Sequence, residues 1–283
     1  MTTPQPREID NGQGQRLASH WYRPQGEMLG AALIVPAMGV EQRFYGAFAN
    51  WLAERGYLVV TFDYQGMGQS RSGPLREVKA NVVDWGRHDC SAVLAAVAEA
   101  AQDKPLYWIG HSLGGQILPF VDGRGRITRA FSIASGSGYW RDNTAGLRGR
   151  AWLLWHFIAP TVTPLLGYFP GRRLGIVGDL PRGVIEQWRR WCLHPQYALG
   201  EGEQMRIRYS AVHTPIVSLS FTDDEMMSQR STEALLGFYR SAPKVSRRIA
   251  PEQLGVKRIG HFGFFREQFA DTLWEGYLLP ELG

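Results

Sequence analysis

The chain has 283 residues, 44% of them hydrophobic and 20% charged, with a formal charge of +5. That balance excludes a disordered or fibrous chain, and the length suits one α/β domain able to bury a preformed pocket. The charge surplus is local: ten arginines stand against five acids between residues 138 and 210, an excess equal to that of the whole chain. These arginines are dispersed, with no dense basic run and no nucleic-acid motif, so nucleic acid is not an expected partner. They read as a solvated face or, functionally, as attraction for an anionic substrate or an acidic membrane surface. The opening "MTTPQPREID" has no basic segment followed by an apolar run, so no secretory signal is expected and a cytoplasmic location is. Cys90 and Cys192 are too distant in sequence for a metal motif and read as buried thiols in a reducing compartment.

In chain order, the turn-rich "DNGQGQ" leads into a predicted strand over residues 16–23, "RLASHWYR". The apolar run "AALIVP", 31–36, is typical of a strand covered on both faces. Apolar residues at helical spacing in "EQRFYGAFANWLAERG" end at the glycine stop Gly56. A strand over 57–64, "YLVVTFDY", precedes the glycine-punctuated loop "QGMGQSRSGP". A long helix is expected from about 80 to 101, then the strand "PLYWIG", a helix from about Leu113, and a strand over 127–135. Such alternation implies a mostly parallel sheet with helices on both faces.

The rhythm stops after "SGSGYW". Residues 138–210 are rich in tryptophan (Trp140, Trp152, Trp155, Trp188, Trp191), glycine and proline, and show no clear strand. Strands and helices resume with "TPIVSLSF", "STEALLGFYR" and "KVSRRIA", and the chain closes on a helical "FREQFADTLWEGYLL". The expected organisation is a core of residues 1–137 and 211–283 with a lid or cap inserted at 138–210. Within it, "AWLLWHFIAPTVTPLLGYFPG", 151–171, is uncharged and about as long as a membrane span. Pro160 and Pro164 would break a single helix, and His156, Thr161 and Thr163 dilute its apolarity, so lid helices are expected there and a span is not. Transient contact of an apolar lid with lipid fits the same pattern.

The stretch "YWIGHSLGGQ" carries the chemistry. Ser112 is open to two readings. A serine can cap a helix with its hydroxyl. It can also be a nucleophile, since Gly110 to Gly114 fits G-x-S-x-G, an elbow where a strand meets a helix. A predicted strand before and helix after favour the elbow, as do the flanking glycines, which a cap does not need. A serine hydroxyl needs a base, and the base an orienting carboxylate, in the chain order Ser, acid, His on this kind of fold. Of seven histidines, His20 and His88 precede the serine, His111 adjoins it, His156 and His194 lie in the insertion, and His213 precedes the strand that delivers the acid. His261, in the loop "VKRIGHFGFF", alone comes late enough. The acid should follow "TPIVSLSF", where Asp223 and Asp224 are adjacent candidates that cannot both face the histidine. An oxyanion formed at Ser112 needs main-chain donors: Leu113 N–H, and an N–H from "PAMGVE". There Pro36 has none, which points to Met38 ahead of Ala37.

The elbow "GHSLGG", the segment "FYGAFANWLAERGYLVVTFDYQGMGQS" and the terminal "GHFGFF" together resemble the α/β-hydrolase family over nearly the whole chain. Within it the chain resembles bacterial serine-aminopeptidase-like and monoacylglycerol-lipase-like hydrolases and, through "LPRGVIEQWRRWCLHPQY", a bacterial branch with no assigned substrate. The resemblance implies an eight-stranded, mostly parallel sheet, a lid between its sixth and seventh strands, and a cofactor-free, metal-free triad of Ser112, Asp224 and His261. Asp224 is favoured over Asp223 because "EMMS" after it resembles the family's acid-then-apolar pattern. Met38 and Leu113 become the oxyanion donors, and Asp63 falls at a position used structurally. One departure stands out: many relatives have His-Gly where this chain has Pro36-Ala37, and Ala37 would be strained if the backbone there needs a glycine conformation. The expected activity is a serine hydrolase cleaving a carboxylic ester or thioester of a small acyl substrate. The alternatives are an amidase or peptidase with the same triad, or a non-catalytic binding protein on the same fold.

Overall fold

Strand β3 (Gly30–Val35) shows how the core is divided. Ala31, Leu33 and Val35 join one apolar cluster, Ala32 and Ile34 another. Successive side chains of a strand point to opposite faces, so an unbroken apolar run serves a sheet covered on both sides. The computed structural model describes residues 3–282; the outermost residues of the expected core, 1–2 and 283, lie outside it. Its main sheet also contains β1 (Gln5–Asp10), β2 (Arg16–Tyr22), β4 (Tyr57–Phe62), β5 (Leu106–His111) and β6 (Arg129–Ile133). A two-stranded ribbon, β7 (Tyr168–Phe169) with β8 (Leu180–Pro181), stands apart. The main sheet is completed by β9 (Ile216–Phe221) and β10 (Lys244–Ile249).

The eight strands run in the order β1-β2-β4-β3-β5-β6-β9-β10. The first three pair antiparallel and the others parallel. This is the expected mostly parallel α/β sheet of eight strands. Strand β1 has no counterpart in the sequence reading. It is an edge strand with exposed side chains and Pro6, and so lacks the apolar pattern that marks the others.

Helix α1 (Gly46–Ala53) and the helical C-terminal end cover one face, where Phe48, Trp51, Phe264 and Trp274 interlock. The helix expected over 80–101 is composite: α2 (Val82–Asp84), a π-helical turn at Trp85–Cys90, and α3 (Ser91–Ala101). Asn81 starts it with a reciprocal cap, accepting from Asp84 N–H and donating its own N–H to the Asp84 carboxylate, both at 3.0 Å. Val93, Leu94 and Val97 of α3 pack on the other face.

That second face is shared with the chain between the sixth and seventh strands of the main sheet. It holds α4 (Ala145–Leu153), a π-helical turn at Leu154–Ile158, α5 (Ala159–Leu166), the β7–β8 ribbon, α6 (Arg182–Leu193) and α7 (Glu203–Ser210). The ribbon corrects the expectation of no strand in 138–210. The prolines do not end the helix either. In the widened turn Ala159 N–H reaches back to Leu154 C=O, and the chain stays helical through Pro160 and Pro164. Among the described residues no helix is long and apolar enough to cross a membrane.

The remaining helices are α8 (Gln229–Phe238) and the four-residue α9 (Gly260–Gly263). The helix expected from Leu113 is reduced to short 3-10 turns at Ser112–Gly115 and Leu118–Phe120. An α-helix here would satisfy Gly115 C=O with the N–H of residue 119, but Pro119 has none. Tyr239 Oη donates to that carbonyl at 2.8 Å, and Tyr209 Oη donates to Gln116 C=O at 2.8 Å. Tertiary partners thus replace the helical ladder.

Candidate active site

Ser112 sits where β5 turns into the first of these 3-10 turns, with φ +50°, a conformation costly for any residue but glycine. Its backbone is therefore not that of a cap; the residue before the turn is His111, extended at φ −91°, with no capping side chain. The turn is so tight that a Cβ on Gly110 would lie 2.3 Å from the Gly114 carbonyl, and one on Gly114 would lie 2.2 Å from Val35 O. Two bonds hold the corner: Ser135 Oγ donates to Ser112 C=O and Trp108 Nε1 to Gly114 C=O, at 2.8 and 2.9 Å. Ser112 itself is 8% exposed.

Of the two adjacent acids, it is Asp224 that meets His261. His261 Nδ1 lies 2.9 Å from Asp224 Oδ2 and 3.1 Å from Oδ1, both residues being buried. A carboxylate only accepts, so the Nδ1 hydrogen points to Asp224 and Nε2 is the ring nitrogen turned away from the acid. Oδ1 also accepts the N–H groups of Met226 and Met227, each at 2.8 Å, which fixes the carboxylate. Asp223 turns to the main chain before the histidine, accepting from Ile259 N–H at 2.8 Å and Gly260 N–H at 3.1 Å. Glu225, which the sequence did not single out, accepts His261 N–H at 3.1 Å and pairs with Arg258 at 3.2 Å. Three consecutive carboxylates thus hold one loop: one by its leading amides, one by the imidazole, one by the amide of His261.

The loop after β3 is equally constrained. Tyr64 Oη donates to Pro36 C=O at 3.0 Å, and Ala37 N–H donates to Tyr45 Oη at 2.9 Å. Ala37 does not adopt the left-handed conformation, so the departure from the family's glycine introduces no strain at that residue. The positive φ, +71°, falls on Gly39, where a Cβ would lie 2.3 Å from Val177 Cγ2 and 2.6 Å from Gly178 N of the insertion. With Ala37 N–H engaged, Met38 is the next main-chain donor along the loop. Leu113 is the second residue of the 3-10 turn, where first-turn amides have no intrahelical acceptor.

Asp63 keeps to its structural role, accepting from Gln42 N–H at 2.7 Å and Gln69 N–H at 2.9 Å, while burial pushes its carboxyl up. Cys90 and Cys192 are free and buried. Among the described residues no group of three His, Cys, Asp or Glu side chains is arranged to hold a metal ion. A cleft of about 570 Å³ lined by Gln13, Gln65, Lys79, Asp84 and His88 lies apart, sharing no residue with this constellation.

An eight-stranded sheet with this strand order, an elbow after β5 and a carboxylate–histidine pair beyond β9 and β10 define a known architecture. The chain has the α/β-hydrolase fold. Residues 26–141 match a family described as serine aminopeptidase, S33. No curated protein matches the sequence. Among solved structures, the chain is similar to a soluble variant of monoglyceride lipase from Saccharomyces cerevisiae bound to a substrate analogue. That likeness has 16% identity, a TM-score of 0.64, and coverage of 88% of this chain and 87% of the other. It is also similar to Est816, an N-acyl homoserine lactone degrading enzyme, at 15% identity and TM-score 0.62, covering 96% and 100%. A third likeness is to the thioesterase domain from the curacin biosynthetic pathway, at 13% identity and TM-score 0.54, covering 88% and 94%.

Proposed function

We propose that this α/β-hydrolase is a serine hydrolase that cleaves a carboxylic ester or thioester through an acyl-enzyme. The observation that carries the reading is the buried Asp224–His261 pair at 2.9 Å, on the same fold as a strained Ser112 elbow. Ser112 Oγ attacks the carbonyl carbon while His261 Nε2 takes its proton, and Asp224 holds the imidazole and stabilises its charged form. The oxyanion is received by the N–H groups of Met38 and Leu113. His261 returns the proton to the leaving alcohol or thiol, then activates water to release the acid.

Residues 138–210 act in this reading as the lid and supply the acyl pocket from their tryptophans. Support comes from the close packing of Val177 and Gly178 on Gly39 beside the oxyanion loop. The outer side of α4–α5 exposes Trp152, Leu153, Phe157 and Leu165, and no acidic residue occurs between Asp142 and Asp179. Such a face suits transient contact with lipid.

A panel of p-nitrophenyl esters, acyl thioesters and anilides, with Ser112→Ala as blank, tests the reading. Turnover of esters or thioesters that vanishes in folded Ser112→Ala is expected. Preferred cleavage of anilides would make the protein an amidase. Equal rates for Ser112→Ala and wild type would refute the mechanism.

A further inference from the structure

Between the oxyanion loop and the histidine loop runs a hydrogen-bonded chain that the triad chemistry does not use. Ala37 N–H donates to Tyr45 Oη at 2.9 Å, Tyr45 Oη lies 2.9 Å from His111 Nδ1, and His111 Nε2 lies 3.0 Å from the carbonyl oxygen of His261. Tyr45 and His111 are fully buried. One proton arrangement satisfies every atom. The His261 carbonyl only accepts, so His111 Nε2 carries a hydrogen. Burial pushes His111 well below the usual histidine range, so its ring is neutral and Nδ1 is an acceptor. Tyr45 O–H therefore donates to Nδ1 while its oxygen accepts from Ala37.

We propose that Tyr45 and His111 are positioning residues that lock the oxyanion loop to the main chain of the general base. The proposal rests on reading His261 as that base. Met38 N–H and His261 Nε2 come from loops more than two hundred residues apart, yet they must converge on one carbonyl group. His111 ends β5 next to Ser112, so it ties both loops to the strand that leads into the elbow. Glu225 holds the N–H of His261 and His111 its C=O, leaving the residue little freedom to shift. Phe265 and Phe262, with ring centroids 4.9 and 5.6 Å from the His111 imidazole, pack around the link. Small displacements matter here, because about 1 Å of misplacement in a reacting group costs up to about 100-fold in rate.

The test uses the full-length protein with Tyr45→Phe, His111→Phe, His111→Gln and Ser112→Ala. Imidazole 15N and 1H resonances of wild type should show His111 as a neutral Nε2–H tautomer with a slowly exchanging proton. With an activated ester, Tyr45→Phe and His111→Phe should lower kcat by about 10- to 100-fold with KM little changed. His111→Gln, whose amide donates near the Nε2 position, should recover kcat to within about threefold of wild type. An Nδ1–H tautomer, an imidazolium at neutral pH, or full kcat in folded Tyr45→Phe would overturn the proposal. Should the phenylalanine variants not fold, the tautomer of His111 in wild type decides. Retained turnover in Ser112→Ala would instead overturn the hydrolase reading, and the resonances would still judge the link.

Discussion

Beyond the ends of β3, β5 and β10, main-chain groups around the candidate site are held individually: Ala37 by Tyr45, Ser112 by Ser135, His261 by Glu225 and His111. The α4–α5 segment of the insertion is secured differently. Its inner side chains Leu154 and Trp155 join the core, but its outer side leaves Trp152, Phe157 and Leu165 in solvent. Directional bonds fix atoms to fractions of an ångström, which bond-breaking chemistry requires. Apolar packing fixes a helix less tightly and leaves its other face free to meet something else. Under the proposed function, the contrast would separate where a reaction is performed from where a substrate is admitted.

The sharpest way to break that comparison is at the adjacent acids. Asp224→Asn should cut kcat by about 10⁴-fold, because the amide no longer enforces the imidazole tautomer. Asp223→Asn, which touches only amides of the loop, should lose far less; the reverse order would exchange their roles. Next in size is Trp274, fully buried between α1 and the C-terminal end with its Nε1 donating to Phe264 C=O. Trp274→Ala should cost about 3–5 kcal/mol in a urea melt. A loss under about 1 kcal/mol would show that this face is not the tightly packed core described.

A smaller effect concerns Asp89, which burial raises to about 7 despite bonds from Asn11 Nδ2 and from Gln65 N–H and Nε2. The folded state keeps this proton up to about pH 7, whereas the unfolded chain releases it near pH 4. Between those values the unfolded state binds fewer protons, so stability falls as pH rises. Stability from urea melts between pH 4 and 7 should decline in wild type relative to Asp89→Asn, by about 3 kcal/mol. Parallel profiles would contradict the assignment. Smallest is the outer face of the insertion. Trp152→Ser should change stability by less than about 0.5 kcal/mol while weakening binding to phosphatidylglycerol vesicles several-fold. Unchanged vesicle binding would remove lipid from the account.

Much of this was legible in the residues, for reasons that differ by element. The buried strands announced themselves as apolar runs, and Ser112, Asp224 and His261 could be ordered because an elbow dictates which later acid and histidine it can use. Strand β1 was silent because an exposed edge strand needs no apolar pattern. The turns after Ser112 were read as a longer helix, since nothing local reveals that Tyr239 and Tyr209 take over its carbonyls. The roles of Glu225 and His111 depend on bonds across 36 and 150 residues. The one sequence signal for the clamp was the run Asp223-Asp224-Glu225 at the end of a strand, more carboxylates than a triad needs.

If Ser112 is an activated nucleophile, covalent labelling reads it without knowledge of the substrate. Folded protein treated with a fluorophosphonate should acquire one adduct, mapped by mass spectrometry to the peptide containing Ser112, at a rate that collapses in His261→Ala. A folded protein left unlabelled, or labelled equally fast without His261, would contradict it.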